Sequence, residues 1–113
     1  MHELSLAFSV VELLETQRHS QTFSRVTDVW LEIGALACIE PEALSSGLAA
    51  ASNGTVAQGA RFHLQLVPAS AWCFQCQQAF TTSRHRGDCP RCGSHQIQVA
   101  KGDEMRVKEI AVE

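Results

Sequence analysis

The sequence predicts an α+β fold, a small three-stranded sheet with two helices, interrupted near its C-terminal end by a short inserted subdomain. Three observations lead there. Two stretches carry helix signals and three alternate at period two. Four of the five cysteines fall in two Cys-x-x-Cys pairs, between the second and third alternating stretches.

Each element has its own justification. Leu4 to about Arg18 reads as an amphipathic helix, with Leu4, Ala7, Phe8, Val11 and Leu14 as the apolar stripe and Val10 on its flank. His19 to Thr22 is its polar exit. Arg25 to Ile33 alternates as a strand. Thr27, Val29, Leu31 and Ile33 share one face; Val26, Asp28, Trp30 and Glu32 share the other, and Gly34 ends the run. Glu40-Pro41-Glu42 is a helix start, because proline suits the first helical position and acids suit the positive end of the helix dipole. That helix runs to about Ser52, buries Leu44 and Leu48, and stops at Asn53-Gly54. Arg61 to Val67 is a second alternating strand, with Phe62, Leu64 and Leu66 on one side and Pro68 closing it. Glu104 to Val112 is the last strand; its alternation slips at Lys108-Glu109, as a bulge would make it do. The expected organisation is a sheet-and-helix domain of residues 1–70 and 100–113, with the cysteine subdomain over 71–99.

Composition narrows the function classes. The chain has 113 residues, 45% of them hydrophobic and 19% charged, which is a globular and not a disordered composition. It is too short for a (β/α)8 barrel and tight for a doubly wound dinucleotide enzyme. No apolar run approaches the roughly 18 residues of a membrane-spanning helix, so no membrane is expected. The formal net charge is −3, which argues against a broad nucleic-acid footprint. The chain opens Met1-His2-Glu3, acidic where a secretory signal would be basic, so the expected location is the cytoplasm. No phosphate loop, paired carboxylates or nucleophile-and-base signature is present, so a catalyst is not expected. Cys38 reads as a small buried hydrophobe.

The cysteine spacing is Cys73-x-x-Cys76, twelve residues, then Cys89-Pro90-Arg91-Cys92-Gly93. Each Cys-x-x-Cys turn aims two sulfurs at one point, and two turns complete a tetrahedron. Reducing cytoplasm favours metal over disulfides. Neither pair opens a helix, as a thioredoxin-like redox pair would. The inserted segment therefore reads as a zinc-ribbon subdomain with structural Zn(II) on Cys73, Cys76, Cys89 and Cys92; an iron site of rubredoxin type fits the same spacing. Four thiolates leave no open coordination position, so the metal is not catalytic, and His85 and His95 read as solvated surface. Four thiolates and one divalent ion add −2, taking the net charge from −3 to −5 and weakening the nucleic-acid reading further. The segment is too small to fold on burial alone, so metal binding supplies its folding energy.

His2 is the second metal-like feature. A large second residue hinders removal of Met1, so a free α-amine stands one residue before an imidazole. Amine, deprotonated amide and imidazole can close adjacent chelate rings, a nitrogen-rich arrangement that suits Ni(II) or Cu(II) better than Zn(II). A simply exposed, idle histidine is the plain alternative.

Taken in order, Met1-His2-Glu3-Leu4-Ser5, the following helix, Val29-Trp30-Leu31-Glu32-Ile33-Gly34-Ala35, Gly54 to Gly59 and the four-cysteine ribbon resemble the HypA/HybF family of hydrogenase maturation factors over essentially the whole chain. The resemblance implies a nickel metallochaperone that helps insert Ni(II) into the large subunit of [NiFe]-hydrogenase, working with a HypB-type GTPase; in some organisms such proteins also serve urease maturation. It implies a nickel site on Met1, His2 and Glu3, with Glu40 at the position of an acidic residue that approaches it in some members. It assigns zinc to Cys73, Cys76, Cys89 and Cys92. Gly93 departs from relatives that carry a histidine after the last zinc cysteine. The competing reading is a zinc-ribbon module for nucleic acid or protein without nickel transfer, for which Arg84-His85-Arg86 and Arg91 would be the only basic face.

Overall fold

The computed structural model describes residues 2–82 and 87–113. The described elements run α1 (Glu3–Ser20), β1 (Val26–Gly34), α2 (Pro41–Ser52), β2 (Arg61–Val67), β3 (Ala69–Cys73), β4 (Gln78–Thr82), β5 (Ile97–Lys101) and β6 (Met105–Val112). They form two three-stranded sheets, ordered β2-β1-β6 and β4-β3-β5. The first sheet and the two helices are the α+β arrangement expected from the sequence. The chain divides into two compact units.

The first unit comprises the chain up to Leu31, Ile39–Gln65 and Val107–Glu113. Its core is apolar side chains from both helices and β1: Ala7, Val10, Val11 and Leu14, then Leu44, Leu48 and Ala51, then Val26, Val29 and Leu31. Helix α2 starts where the sequence places it, with Pro41 in the first turn and the Glu40 carboxylate accepting the Glu42 amide at 3.3 Å. The helices cross closely at Gly47, where a Cβ would lie 3.3 Å from Ala7 Cβ and 3.6 Å from the Glu3 carbonyl oxygen.

That crossing changes the expected stripe of α1. The buried positions are Glu3, Ala7, Val10, Val11 and Leu14. Leu4 and Phe8 are instead 52% and 54% exposed. Periodicity shows that an apolar stripe exists, but the partner helix selects which side of it is covered. On β2, Phe62 and Leu64 are half-buried as alternation requires, whereas Leu66 is exposed. On β6 the slip is real: Lys108 and Glu109 are both exposed and Ile110 and Ala111 both half-buried.

The second unit comprises Glu32–Cys38 and Leu66–Arg106. Within it β3 is the central strand. It pairs antiparallel with β4, Ala71 opposite Phe80 and Cys73 opposite Gln78, and with β5, Ala71 opposite Val99 and Cys73 opposite Ile97. Three strands build this segment, none of which the sequence pattern singled out. The chain restarts as a strand directly after Pro68, and the short runs 69–73, 78–82 and 97–101 carry too few large apolar residues to announce themselves. Ala69, Ala71, Cys73 and Cys89 are buried, while Trp72 and Phe74 are exposed. Ile33 and Leu36 are buried as well, but among the described residues of 66–106 the buried apolar ones are alanine and cysteine, which release little free energy on burial and leave the cysteines to hold that segment by other means. Cys38, expected to be buried, is exposed and lies at a left-handed φ of 58°.

Candidate metal centres

Cys73 is the last residue of β3, so a paired strand positions the first ligand. The chain then turns tightly: the Gln77 amide donates to the Cys73 carbonyl at 2.8 Å and the Cys76 amide to Cys73 Sγ at 3.3 Å. The second pair repeats this. The Gly93 amide donates to the Cys89 carbonyl at 2.8 Å and the Arg91 amide to Cys89 Sγ at 3.4 Å. Each turn ends in the left-handed region, at Gln77 (φ 57°) and at Gly93 (φ 76°). Glycine adopts that conformation without strain; glutamine does so at a cost.

The turns bring four sulfurs together. Cys73 Sγ and Cys92 Sγ are 3.7 Å apart, as are Cys76 Sγ and Cys89 Sγ, and all four lie within 4.8 Å of one another. No two are bonded. A tetrahedron with metal–sulfur bonds of ~2.3 Å has edges of about 3.8 Å, so the donor set fits one tetrahedral ion. Amide donors pull the Cys89 thiol down to about 6, the Cys92 N–H foremost and the Arg91 N–H after burial, which opposes them. The Cys92 side chain and burial push Cys76 up to about 12. Without a cation the cluster cannot carry four negative charges; a bound cation reverses that and releases the protons.

The N-terminal candidates are arranged differently. His2 is exposed at the entrance to α1 and its carbonyl accepts the Leu6 amide at 3.0 Å. Glu3 is buried, and its carboxylate accepts the Glu40 amide at 3.0 Å. That bond is the main reason its pKa is lowered to about 2. Glu3 and Glu40 therefore meet through a main-chain amide, tying the start of α1 to the N-cap of α2. Among the described residues, the four cysteines are the one set of three or more metal-ligating side chains within mutual reach. Met1 lies outside the described residues, as do Arg84, His85 and Arg86. His95 is exposed and pairs with Asp88 at 2.5 Å.

One polar cluster escaped the sequence reading. Asp28 on β1 accepts Arg61 Nε at 3.0 Å and Nη2 at 3.1 Å, and accepts His63 Nε2 at 2.8 Å. Trp30 stacks on the His63 ring at 4.9 Å. Arg61, and His63 after it, hold the Asp28 carboxyl well below the usual range. The available signal was an acid on one strand with a basic pair two residues apart on the next.

Fold and site together define a class: a small α+β protein carrying a four-thiolate ribbon and an exposed histidine at its N-terminal helix. The comparisons agree with it over the full length. The family model described as hydrogenase/urease nickel incorporation, metallochaperone, hypA matches residues 1–112, and the chain belongs to that HypA family. It is 48% identical to the hydrogenase maturation factor HypA of Azotobacter vinelandii and 46% identical to that of Rhodopseudomonas palustris (strain BisA53), over 113 residues and all of both chains in each case. It is 44% identical over 110 residues to the hydrogenase maturation factor HybF of Morganella morganii, covering 97% of each chain. Its fold matches the solution structure of the nickel metallochaperone HypA from Helicobacter pylori with a TM-score of 0.73 at 19% identity, covering 99% of this chain and 97% of that one. The family is one of hydrogenase maturation factors and nickel metallochaperones, not of catalysts.

Proposed function

We propose that this chain captures Ni(II) at its N-terminus and delivers it to the large subunit of a [NiFe]-hydrogenase, working with a HypB-type GTPase, while Zn(II) on Cys73, Cys76, Cys89 and Cys92 holds the ribbon folded. The observation that carries the reading is the family match over residues 1–112, on a chain whose His2 stands exposed at the start of α1. Nickel is cargo. The His2 imidazole, the Met1 amine and main-chain nitrogen give few, accessible donors, which suits release as well as capture. The Glu3 carboxylate, committed to the Glu40 amide, supports the site by fixing where α1 begins. Glu40 contributes the neighbouring acid. Four thiolates that fill a tetrahedral site hold an ion far more tightly, which suits a permanent structural role for 71–99 alongside a nickel-handling domain of 1–70 and 100–113. Service to urease follows from the same delivery chemistry.

The test is metal analysis and nickel titration of untagged wild type and His2→Ala. Wild type holds one tight zinc and one weaker, exchangeable nickel per chain. His2→Ala keeps the zinc and loses the nickel. Equal nickel affinity in the two proteins would sink the reading.

A further inference from the structure

The four cysteines are not equivalent. Cys73 and Cys89 are buried, Cys76 is half-buried and Cys92 is exposed. The main-chain donors follow the same division. The Cys76 amide points at Cys73 Sγ, and the Arg91 amide points at Cys89 Sγ. Hydrogen bonds to a thiolate draw charge from the sulfur and lower its reactivity toward electrophiles, and thiolates oxidise according to their exposure and charge. Cys92 is thus the most exposed residue of the set, with the sulfur of buried Cys73 3.7 Å from its own.

We propose that Cys92 is an oxidant-reactive site: its thiolate reduces a hydroperoxide first, Cys73 resolves the product, and the bound ion is released. The inference rests on the zinc reading of this site. In the first step the Cys92 sulfur attacks a peroxide oxygen. A sulfur–oxygen bond forms, the oxygen–oxygen bond breaks, and the departing alkoxide or hydroxide takes a proton. In the second step the Cys73 thiolate attacks the Cys92 sulfenic sulfur, a disulfide forms, and hydroxide leaves and is protonated. In sum, two thiolates, one hydroperoxide and two protons give one disulfide, one alcohol (water from hydrogen peroxide) and one water. Sulfur has lost two electrons to the peroxide. Cys76 and Cys89 alone no longer enclose the ion, and it departs.

The test uses zinc-loaded full-length Cys38→Ser, so that the other exposed thiol does not compete. A brief pulse of substoichiometric N-ethylmaleimide, followed by peptide mapping, should place the first adduct on Cys92 with ~10-fold preference over Cys73 and Cys89. Hydrogen peroxide in the presence of a chromophoric zinc chelator should release zinc at the rate at which unmodified Cys92 disappears, leaving a Cys73–Cys92 disulfide. A first adduct on Cys76, labelling spread evenly, a disulfide that omits Cys92, or zinc loss ahead of Cys92 modification would each overturn the proposal. Zinc content measured before the challenge separates the two readings: protein that never held zinc overturns both, whereas zinc-loaded protein that reacts elsewhere overturns this one alone.

Discussion

Asp28, on β1, is among the few buried charged residues described. Its carboxylate is satisfied by Arg61 and His63 on the neighbouring strand, which favours the charged form. Because its pKa is lower in the folded protein than the ordinary 3.8, its contribution to stability is complete above about pH 4 and is lost as pH falls below that value. Acid unfolding followed by circular dichroism should therefore be less steep below pH 4 in Asp28→Asn than in wild type, with both variants of the pair, Asp28→Asn and Arg61→Gln, less stable near neutral pH. His63→Ala should remove the Trp30 stack and change the tryptophan emission. At the same scale, the nickel role proposed for His2 is read from its place in the sequence and not from the fold. The commitment of Glu3 to the Glu40 amide is not recognisable there, since residues 37 positions apart meet only once the helices pack.

Among the elements, α1 shows what periodicity can and cannot specify. Its span matches the sequence expectation to within two residues, whereas its covered face does not: Leu4 and Phe8 turn outward and Val10 and Glu3 turn in. Hydrophobic spacing admits a range of rotations, and the close crossing at Gly47 selects one. Gly47→Val should drive a branched side chain into Ala7 and the Glu3 carbonyl, lowering stability by about 1–3 kcal/mol in denaturant unfolding. Leu14→Ala, at a fully buried position of the same helix, should cost about 2–5 kcal/mol. The ribbon turns behave oppositely, since their chemistry is local. A Cys-x-x-Cys followed by glycine specifies its own knuckle, and Gly93→Val should strain it at φ 76° and weaken metal retention, read as faster zinc loss to a chelator.

For the whole molecule, the two units are built on different physics. The first buries leucine and valine from two helices and a strand. The second buries Ile33 and Leu36 but, over 66–106, only alanine and cysteine among the described residues, with four sulfurs that fit one tetrahedral ion. Stripping metal with a strong chelator should abolish the slow-exchanging amides of β3, β4 and β5 while the helical signal of α1 and α2 persists, as hydrogen exchange and far-ultraviolet circular dichroism would show. Concurrent loss of both would mean that the units share one cooperative core. No helix among the described residues is long and apolar enough to cross a membrane.

The order of elements, the α+β class and the two-pair cysteine spacing were legible in the chain itself. Each depends on residues close in sequence, whose spacing alone sets the chemistry. The tertiary structure decided which face of α1 is covered, that the cysteine segment is built on three strands, that Asp28 is buried in a network, and that Cys92 is the most exposed of the four cysteines. Those properties depend on which surfaces meet and which stay open to water, and packing settles that between residues far apart along the chain.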